Sequence, residues 1–419
     1  MREAVVTFIL GFNYFIGAYF GVMNTIYACL LVMSLFAILR HIQRIKYAPI
    51  RDFHSSSQTP PVSILIPVHN EVNVVCKSVR SALACDYPLF EVIVINDGSQ
   101  DDTLKTVIEK FRLKKIDRVY REFLETETVK GFYAGEETPN LLVIDKVQGG
   151  KSDALNCGIN ASRSPYFCSV DADSLLEIDA LIRIMSPVLD SHVPVVACGG
   201  VVRVLNGVVV KDDVAIQEIE LPKNRLVLFQ IVEYIRGFLF GRVGWDALNS
   251  LLILSGTFSM FHKQTVIDSG GFSVGNVSED MEMIVRLHRQ KRRQGKPYRI
   301  RFISDPICWT EVPINLKMLA RQRRRWHLGL IQSICENSEM LLKPRYGIIG
   351  MVVMPYYIFF EVIGPLIEVT GYFVVALSYV VGLLSIKFLM LFLTLAILYG
   401  VFLSTAGVFL EEITYRRYP

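Results

Sequence analysis

Two carboxylates one residue apart follow an apolar run in the middle of this 419-residue chain. Asp171 and Asp173 come directly after the stretch Tyr166 to Val170, which has the composition of a buried strand. Oxygen ligands suit a hard divalent cation, which is commonly shared between one or two carboxylates and substrate phosphates. An isolated Asp-x-Asp is also typical of a solvated turn. The pair therefore predicts a cation that carries a diphosphate, provided that neighbouring strands bring further polar groups to the same place.

The elements around this pair alternate between apolar, β-branched runs and helical patterns. The predicted strands are Val62 to Val68, Val92 to Asn96, Leu141 to Asp145, Tyr166 to Val170 and Val193 to Cys198, and the predicted helices are Val72 to Ala84, Ser152 to Ile159 and Ile178 to Leu189. Such alternation indicates an α/β fold with a doubly wound, mainly parallel sheet.

Polar residues stand where three of these strands end. Glu71 follows the first strand, Asp97 follows the second, and Asp171 with Asp173 follows the fourth. Because ligands bind at the carboxyl ends of the strands in such sheets, these side chains are expected in one crevice. A glycine pair before Lys151 would let the backbone approach a phosphate closely, with one cation above it. A turn at Asp97 and a surface loop at Lys151 are the plain alternatives.

Both ends of the chain are apolar, and hydrophobic residues make up 52% of the whole. No charged residue occurs from Ala4 to Leu39, and the charges from Tyr346 to Leu410 are Glu361, Glu368 and Lys387. Uncharged stretches of about 20 residues suit a helix that crosses the hydrocarbon core of a bilayer. The two glutamates face either a water-filled path, such as a saccharide route, or the solvent beside an interfacial helix.

The apolar ends predict three membrane spans. An interfacial lead-in precedes a span near Tyr14 to Leu39, a second span covers about Gly347 to Gly382 with kinks at Pro355 and Pro365, and a third covers Ile386 to Leu410. Division of the first block into two spans is the alternative, whereas a cleaved signal peptide would be shorter and followed by small residues. Basic residues after Leu39 place the next domain in the cytoplasm by the positive-inside rule.

Two other kinds of site are not indicated. The eight cysteines show no Cys-x-x-Cys pair and no histidine-rich spacing, which argues against a zinc site or a redox motif. Reduced cysteines in a cytosolic core are expected instead. The net charge of +4 is modest, and the basic clusters at 289–293 and 321–325 lie near predicted spans. Anionic lipid or a sugar diphosphate is therefore their expected partner, and nucleic acid is not.

Six motifs in order carry a resemblance to a known family. They are Val62 to Glu71 (VSILIPVHNE), Asn96 to Ser99 (NDGS), Gly149 to Ser152 (GGKS), Asp171 to Asp173 (DAD), Ser278 to Asp280 (SED) and Gln322 to Trp326 (QRRRW). Together with the apolar ends, they resemble the family 2 glycosyltransferases, and in particular the membrane-embedded synthases of cellulose, hyaluronan, chitin and poly-N-acetylglucosamine. The resemblance implies a GT-A-like domain in the cytoplasm, flanked by transmembrane and interfacial helices.

The resemblance also implies a role for each motif. Asp280 would be the base that activates the acceptor hydroxyl, and Asp173 with Asp171 would hold Mg²⁺ or Mn²⁺. The donor would contact Glu71, Asp97, Lys151, Asp171 and Arg325, and the acceptor would contact Trp326, Gln322, Gly256, Thr257 and Glu279.

Purely structural alternatives exist for several of these residues. They are an N-cap at Ser278 or Asp280 for a helix from Met281 to Arg289, a strand from Leu252 to Phe261 with a bulge at Gly256, and an amphipathic interfacial helix from Asn315 to Ile334 in which Trp326 is a membrane anchor.

The expected domains are an N-terminal lead-in and span (1–46), a linker (47–61), a glycosyltransferase domain (62–312), amphipathic interface helices (313–345) and C-terminal spans (346–419).

The expected function is inverting, metal-dependent transfer of a sugar from a nucleotide-diphosphate donor, most readily UDP-linked, to a growing polysaccharide at the inner or plasma membrane. Single-sugar transfer to a lipid-linked acceptor is one alternative, and an idle sugar-nucleotide sensor or assembly subunit is another. The expected partners are the nucleotide-sugar donor, the saccharide acceptor, the lipid bilayer and export or assembly subunits. No segment after Trp326 resembles the gating loop of cellulose synthase, so processivity stays open, as does the possibility that the chain is a piece of a longer protein.

Overall fold

The computed structural model describes residues 2–47, 59–211, 215–416 and 418. Most of the predicted linker, residues 48–58, lies outside the described residues. The strands are β1 (Val62–Val68), β2 (Phe90–Asp97), β3 (Lys114–Ile116), β4 (Val129–Ala134), β5 (Leu141–Lys146), β6 (Tyr166–Val170), β7 (Ser174–Leu176), β8 (Val195–Val204), β9 (Val208–Lys211), β10 (Ala215–Ile219), β11 (Phe258–His262) and β12 (Arg299–Thr310).

The helices follow the same chain order. They are α1 (Arg2–Tyr47), α2 (Val75–Leu83), α3 (Thr103–Lys110), α4 (Lys151–Ala161), α5 (Ala180–Leu189), α6 (Arg225–Ile235), α7 (Val243–Ala247), α8 (Lys263–Asp268), α9 (Glu279–Gln294), α10 (Leu316–Glu336), α11 (Met354–Tyr356), α12 (Gly364–Val380), α13 (Ile386–Leu393) and α14 (Tyr399–Thr414). Short π-helical segments join α6 to α7, flank α11 and join α13 to α14.

Ten strands form one mixed sheet in the order β3-β4-β5-β2-β1-β6-β11-β8-β12-β7. The central strands β5, β2, β1 and β6 are parallel, and β4, β7 and β11 run against the main direction. Residues Ile64, Leu65 and Ile66 of β1 are fully buried, as expected for a strand that is covered on both faces. The mainly parallel α/β sheet predicted from the sequence is confirmed.

Helices cover the sheet, and α4 is the most deeply buried of those that position the site. Its residues from Ser152 to Ala161 are all buried. A Cβ at Gly158 would lie 3.0 Å from Cδ1 of Ile95 and 3.2 Å from the side chain of Leu65. This glycine therefore lets α4 approach β1 and β2 closely, which holds the first residue of α4 near the carboxyl ends of those strands.

Two helical segments among the described residues are long and apolar enough to cross a membrane, namely Val6–Arg44 and Ile386–Thr414. A bent pair, Ile349–Val362 with Gly364–Val380, makes a third if it counts as one span, and its two halves meet at 47°. The bend falls next to Pro365, one of the two predicted kink positions. The predicted interfacial lead-in and first span form a single helix, α1.

The apolar helices pack on one another and on the sheet. Ile16 and Phe20 of α1 are buried with Val375 of α12 and Phe392 of α13. Polar groups are paired across these helices as well, because the Asn13 side chain donates to Oγ of Ser378 at 3.0 Å and Nδ2 of Asn24 donates to the Leu395 carbonyl at 2.8 Å. At the end of α14, buried Glu411 forms an ion pair with buried Arg203 of β8, which attaches the last helix to the sheet.

Candidate active site

The loops after β1 and β2 form one wall of a crevice and are held by side chains. Asn70 has a φ of +57°, and its Oδ1 accepts a hydrogen bond from the backbone N of Gln100 at 2.8 Å. The backbone N of Glu71 donates to Oγ1 of Thr103 at 2.9 Å. Glu71 is half-buried there, and removal from water together with the charge of Asp173 raises the pKa of its carboxyl group. Glu71 thus faces the carboxylates beyond β6.

Asp97 lies buried at the end of β2, and both of its carboxylate oxygens are engaged. Nζ of Lys146 donates to Oδ1 at 2.9 Å, and the backbone N atoms of Gly149 and Gly150 donate to Oδ1 and Oδ2 at 2.8 Å each. Buried Lys146 also forms an ion pair with buried Asp153. Asp97 therefore holds the glycine loop in shape, while its contact to uridine or ribose stays a prediction.

Two glycines of this loop are required by geometry. A Cβ at Gly149 would lie 2.5 Å from Oδ1 of Asp153, so a side chain there would disturb the buried ion pair. Gly150 has a φ of +91°, in a region that residues with a side chain rarely adopt. α4 begins at the next residue, and the loop thereby sets Lys151 at the start of that helix.

Asp171 and Asp173 lie just beyond β6, on the same edge of the sheet as Glu71. Asp173 is exposed in the crevice, where its Oδ1 accepts hydrogen bonds from the hydroxyls of Ser174 at 3.2 Å and Thr310 at 3.5 Å. Although solvent reaches the side chain, partial removal from water and the charge of Asp171 raise the pKa of Asp173. A cation between the two carboxylates would relieve their repulsion.

The donor set of this edge fits a cation that is completed by a substrate. Within the described parts of the chain, no group of three or more His, Cys, Asp or Glu side chains is arranged as a metal site. Mg²⁺ usually keeps several waters and binds through one or two carboxylates plus substrate phosphates. Asp171 and Asp173 supply oxygen ligands of that kind, so the residues present fit Mg²⁺ or Mn²⁺ held jointly with a diphosphate.

Lys151 joins the two sides of the crevice. Its Nζ lies 2.7 Å from Oδ1 of Asp171 and 2.7 Å from Oε1 of Glu279, at the start of α9. Burial acts to lower the pKa of Lys151, but the two carboxylates outweigh burial and raise it. Lys151 and Arg325 in turn hold the pKa of Glu279 below its usual value, against the effect of burial. Lys151 therefore keeps its positive charge at neutral pH and lies between Asp171 and Glu279.

Asp280 projects into the crevice from the first turn of α9. Its Oδ2 accepts a hydrogen bond from the backbone N of Gly256 at 2.8 Å, and its Oδ1 accepts one from its neighbour Met281 at 2.8 Å. A Cβ at Gly256 would lie 3.2 Å from both Oδ2 of Asp280 and Nζ of Lys151. Removal from water, followed by the charge of Glu279, raises the pKa of Asp280 to about 6. A carboxylate fixed in this way is a stronger base than a solvated one.

The segments around Asp280 differ in detail from the sequence prediction. α9 begins at Glu279 rather than Met281, and Ser278 occupies the N-cap position without a side-chain cap hydrogen bond. β11 begins at Phe258 rather than Leu252, and the backbone N of Gly256 bonds to the carboxylate of Asp280 instead of to a strand. The Thr257 carbonyl accepts a hydrogen bond from the backbone N of Asp171 at 3.2 Å, which extends the pairing of β11 with β6 by one residue.

The amphipathic helix α10 closes the crevice on the side of Asp280. Oε1 of Gln332 accepts a hydrogen bond from the backbone N of Val277 at 3.1 Å. A Cβ at Gly329 would lie 2.4 Å from both Cβ and Oγ of Ser278. This glycine therefore permits direct contact between α10 and the loop that carries Asp280.

The structure gives Arg323 and Arg325 of the QRRRW motif different surroundings. Both terminal nitrogens of Arg323 donate to the carboxylate of Glu233 on α6, whereas Arg325 is exposed and lies near enough to Glu279 to act on its charge. Trp326 is 38% exposed. Oε1 of Gln322 is buried and has no hydrogen-bond partner within the described residues.

The predicted site residues lie at the carboxyl ends of β1, β2 and β6, at the starts of α4 and α9, just before β11 or on α10, and four further residues were missed. Lys146 and Asp153 support Asp97, Gly329 supports the position of Asp280, and Glu233 binds Arg323. A glycine within a long amphipathic pattern is a recognisable signal for Gly329. The other three act through distant partners and leave no local signal.

Comparison with known proteins gives matches over most of the chain. A model described as Glycosyl transferase family 2 matches residues 63–213, and one described as Glycosyl transferase family group 2 matches residues 168–403. The poly-beta-1,6-N-acetyl-D-glucosamine synthases of Staphylococcus aureus (strain MSSA476) and Staphylococcus epidermidis are each 25% identical over 301 residues, or 71% and 72% of this chain. The chain spans 59% and 60% of the length of those two relatives.

A solved structure shares the architecture. The mannosyltransferase PcManGT from Pyrobaculum calidifontis, in complex with GDP-Man and Mn²⁺, superimposes with a TM-score of 0.55 at 17% identity. The match covers 91% of this chain and 96% of that one. This likeness establishes a common fold.

Proposed function

Because the chain belongs to glycosyltransferase family 2, we propose that it is a membrane-bound polysaccharide synthase that uses a nucleoside-diphosphate sugar. UDP-N-acetylglucosamine is the proposed donor, and a growing N-acetylglucosamine polymer is the proposed acceptor. The relatives named as poly-beta-1,6-N-acetyl-D-glucosamine synthases support this choice. The observation that carries the proposal is the placement of Asp280, with its raised pKa, across the crevice from Asp171 and Asp173 and bridged to Asp171 through Lys151 and Glu279.

The proposed reaction is a single displacement with inversion at the anomeric carbon. Asp280 takes the proton of an acceptor hydroxyl as that oxygen forms a bond to the anomeric carbon. The bond between the anomeric carbon and the diphosphate breaks, and its electron pair leaves with the diphosphate. Lys151 and Arg325 offset the negative charge that grows on the leaving group, since Arg can donate two hydrogen bonds to a phosphate.

Asp173, together with Asp171, is proposed to hold Mg²⁺ or Mn²⁺. When bound, such a cation neutralises charge on the departing diphosphate, which is worth several kcal/mol. The Mn²⁺ in the complex of PcManGT supports a divalent cation in this fold. Glu71 and Asp97 are proposed to border the nucleoside, and Gln322, Gly256, Thr257 and Glu279 to border the acceptor, which would lie against Trp326.

The proposed location is the inner or plasma membrane, with several spans and the catalytic domain in the cytoplasm. The apolar helices and the family relatives support a membrane location. Basic residues near the C-terminal end of α1, among them Arg40 and Arg44, favour the cytoplasmic side for the sheet. Export or assembly subunits are proposed partners, since a polymer made there has to leave the cell.

Single transfer to a lipid-linked acceptor is the second candidate. Its support is the likeness to PcManGT, which is named as a mannosyltransferase in complex with GDP-Man rather than as a polymer synthase. Its donor would be GDP-linked by the same comparison. An idle sensor is disfavoured because Asp173, Asp280 and Trp326 are all retained.

A donor panel separates these candidates. The purified protein in nanodiscs is incubated with Mn²⁺ and either UDP-N-acetylglucosamine or GDP-mannose, and release of UDP or GDP is measured together with product length. The proposal predicts UDP release and products of many sugars. GDP release with a single sugar on a lipid would support the second candidate, and no turnover of either donor in the presence of acceptor would contradict the proposal.

A further inference from the structure

Arg323 forms an ion pair with Glu233 and also packs against the ring of Trp326. Its two terminal nitrogens donate to the two carboxylate oxygens of Glu233, so the plane of the guanidinium group is fixed by two parallel hydrogen bonds. The Cζ atom of Arg323 lies 4.6 Å from the centroid of the Trp326 ring. A cation within about 6 Å of an indole centroid is attracted to the face of the ring. The three side chains therefore form one stack, which we call the Trp326 stack.

Part of the Trp326 indole stays exposed beside the Arg323 guanidinium group. Arg323 and Trp326 are three residues apart on α10, which places them on neighbouring turns of one helix face. Trp326 is 38% exposed, whereas the other two tryptophans, Trp245 and Trp309, are 7% and 0% exposed. Because the guanidinium group covers one face of the ring, the exposed area belongs to the remaining surface of the indole.

The neighbours of Trp326 on α10 turn toward the crevice. Arg325 lies near Glu279, and Gly329 contacts Ser278 beside Asp280. Arg323 thus supports the indole at the rim of the crevice. Because Glu233 neutralises its charge, Arg323 is not assigned to binding of the diphosphate.

We propose that Glu233 and Arg323 are positioning residues that hold the indole of Trp326 at a fixed angle, so that its exposed surface receives the acceptor sugar. The identity of that ligand rests on the proposed function, whereas the immobilisation of the indole does not. A planar guanidinium group whose two terminal nitrogens are both hydrogen-bonded can hold the ring at a fixed angle. The ammonium group of lysine cannot, because it has neither two parallel N–H donors nor a flat face. Glu233, on α6, fixes the plane of the Arg323 guanidinium group, and that group packs against the ring of Trp326.

The first test needs no substrate. Time-resolved fluorescence anisotropy of the 419-residue chain, with the signal of Trp326→Phe subtracted, reports the motion of the Trp326 indole alone. Arg323→Lys and Glu233→Gln are expected to free the indole and to raise the amplitude of its fast, nanosecond anisotropy decay. Arg321→Lys, at an exposed arginine of the same helix, is the matched control and is expected to match the wild type. Unchanged anisotropy in both Arg323→Lys and Glu233→Gln would overturn the proposal.

The second test measures kinetics with a short β-1,6-linked N-acetylglucosamine oligosaccharide as acceptor. Arg323→Lys and Glu233→Gln are expected to raise the acceptor KM about 5-fold, an effect of the size of one cation–π contact, because the indole is no longer held at a fixed angle, while the donor KM stays at the wild-type value. The exchange variant Glu233→Arg/Arg323→Glu restores an ion pair but removes the cation from the ring, and its acceptor KM is expected to stay high. Recovery of the wild-type KM in the exchange variant would show that the pair only ties α6 to α10, and would overturn the proposal.

The two tests separate failure of this inference from failure of the proposed function. If the wild type fails to turn over the chosen donor and acceptor, the proposed substrates are wrong, and the anisotropy result alone decides the inference. If the wild type is active and the acceptor and donor KM values rise together in Arg323→Lys, the residue supports the whole site rather than the indole, and the inference is wrong.

Discussion

Replacement of Gly329 by alanine tests whether contact between α10 and the Ser278 loop sets the position of Asp280. The new Cβ would lie 2.4 Å from Cβ and Oγ of Ser278 and 3.0 Å from its backbone N. Because carbon atoms pack at about 3.5 Å, helix and loop have to separate by about 1 Å. Overpacking of this kind costs about 1–3 kcal/mol. Asp280 is two residues from the contact and moves with it.

We expect Gly329→Ala to lower the turnover number by up to about 10²-fold, since a misplacement of about 1 Å can have that effect on catalysis. The initial rate of UDP release in nanodiscs measures the turnover, and thermal unfolding of the same sample measures stability. The matched control is Gly237→Ala, because a Cβ there would meet nothing within 4 Å. That variant is expected to keep the wild-type turnover.

Removal of the obstructing side chain provides a rescue. Ser278 makes no side-chain cap hydrogen bond to α9, so Ser278→Gly is expected to be active by itself. The double variant Gly329→Ala/Ser278→Gly should recover most of the lost turnover, because both atoms at 2.4 Å are gone. A fully active Gly329→Ala with an unchanged melting temperature would refute the reasoning, and so would a double variant that is no better than the single one.

Three further perturbations address the metal, the buried ion pair and the base. Asp173→Asn is expected to abolish turnover without lowering the melting temperature. The wild type should lose activity in chelator and regain it when Mg²⁺ or Mn²⁺ is added. Full activity in chelator would contradict a metal-bound diphosphate. Lys146→Met leaves the buried carboxylates of Asp97 and Asp153 without their cation, so it should cost about 3–5 kcal/mol of stability in thermal unfolding. Arg112→Met, which breaks an exposed ion pair, is the control and should leave the melting temperature unchanged. Because the pKa of Asp280 is raised to about 6 and the base has to be unprotonated, kcat/KM should be full above that pH and fall about tenfold per pH unit below it; a flat profile through this range would count against Asp280 as the base.

The sequence predicted the central parallel strands β5, β2, β1 and β6 better than the others, whereas β8, although buried throughout, ends at Val204 rather than at Cys198. β1 and β6 have the predicted bounds, because nearly every position in these central parallel strands is apolar. β12, with twelve residues the longest strand, was missed because charged residues and a proline interrupt its apolar pattern. β11 begins six residues later than predicted, and the backbone N of Gly256 bonds to the carboxylate of Asp280 instead of to a neighbouring strand.

The site residues at strand ends were accessible to sequence reasoning, because the carboxyl ends of parallel strands share one edge. The residues that support them were not. Lys146 is 49 residues from Asp97, and Glu233 is 90 residues from Arg323. Neither pair produces a periodicity or a motif, and only the folded chain brings the partners together. The roles of the predicted residues in binding and catalysis stay predictions until they are measured.

Comparison of Asp280→Asn with the wild type tests the central claim most directly. Donor affinity is measured by calorimetry with UDP-N-acetylglucosamine and Mn²⁺, and turnover is measured as UDP release in the presence of acceptor. Because a base acts chiefly in the transition state, we expect donor affinity close to the wild-type value and turnover reduced by about 10²-fold or more. Loss of donor binding with turnover retained, or wild-type turnover in Asp280→Asn, would contradict the account.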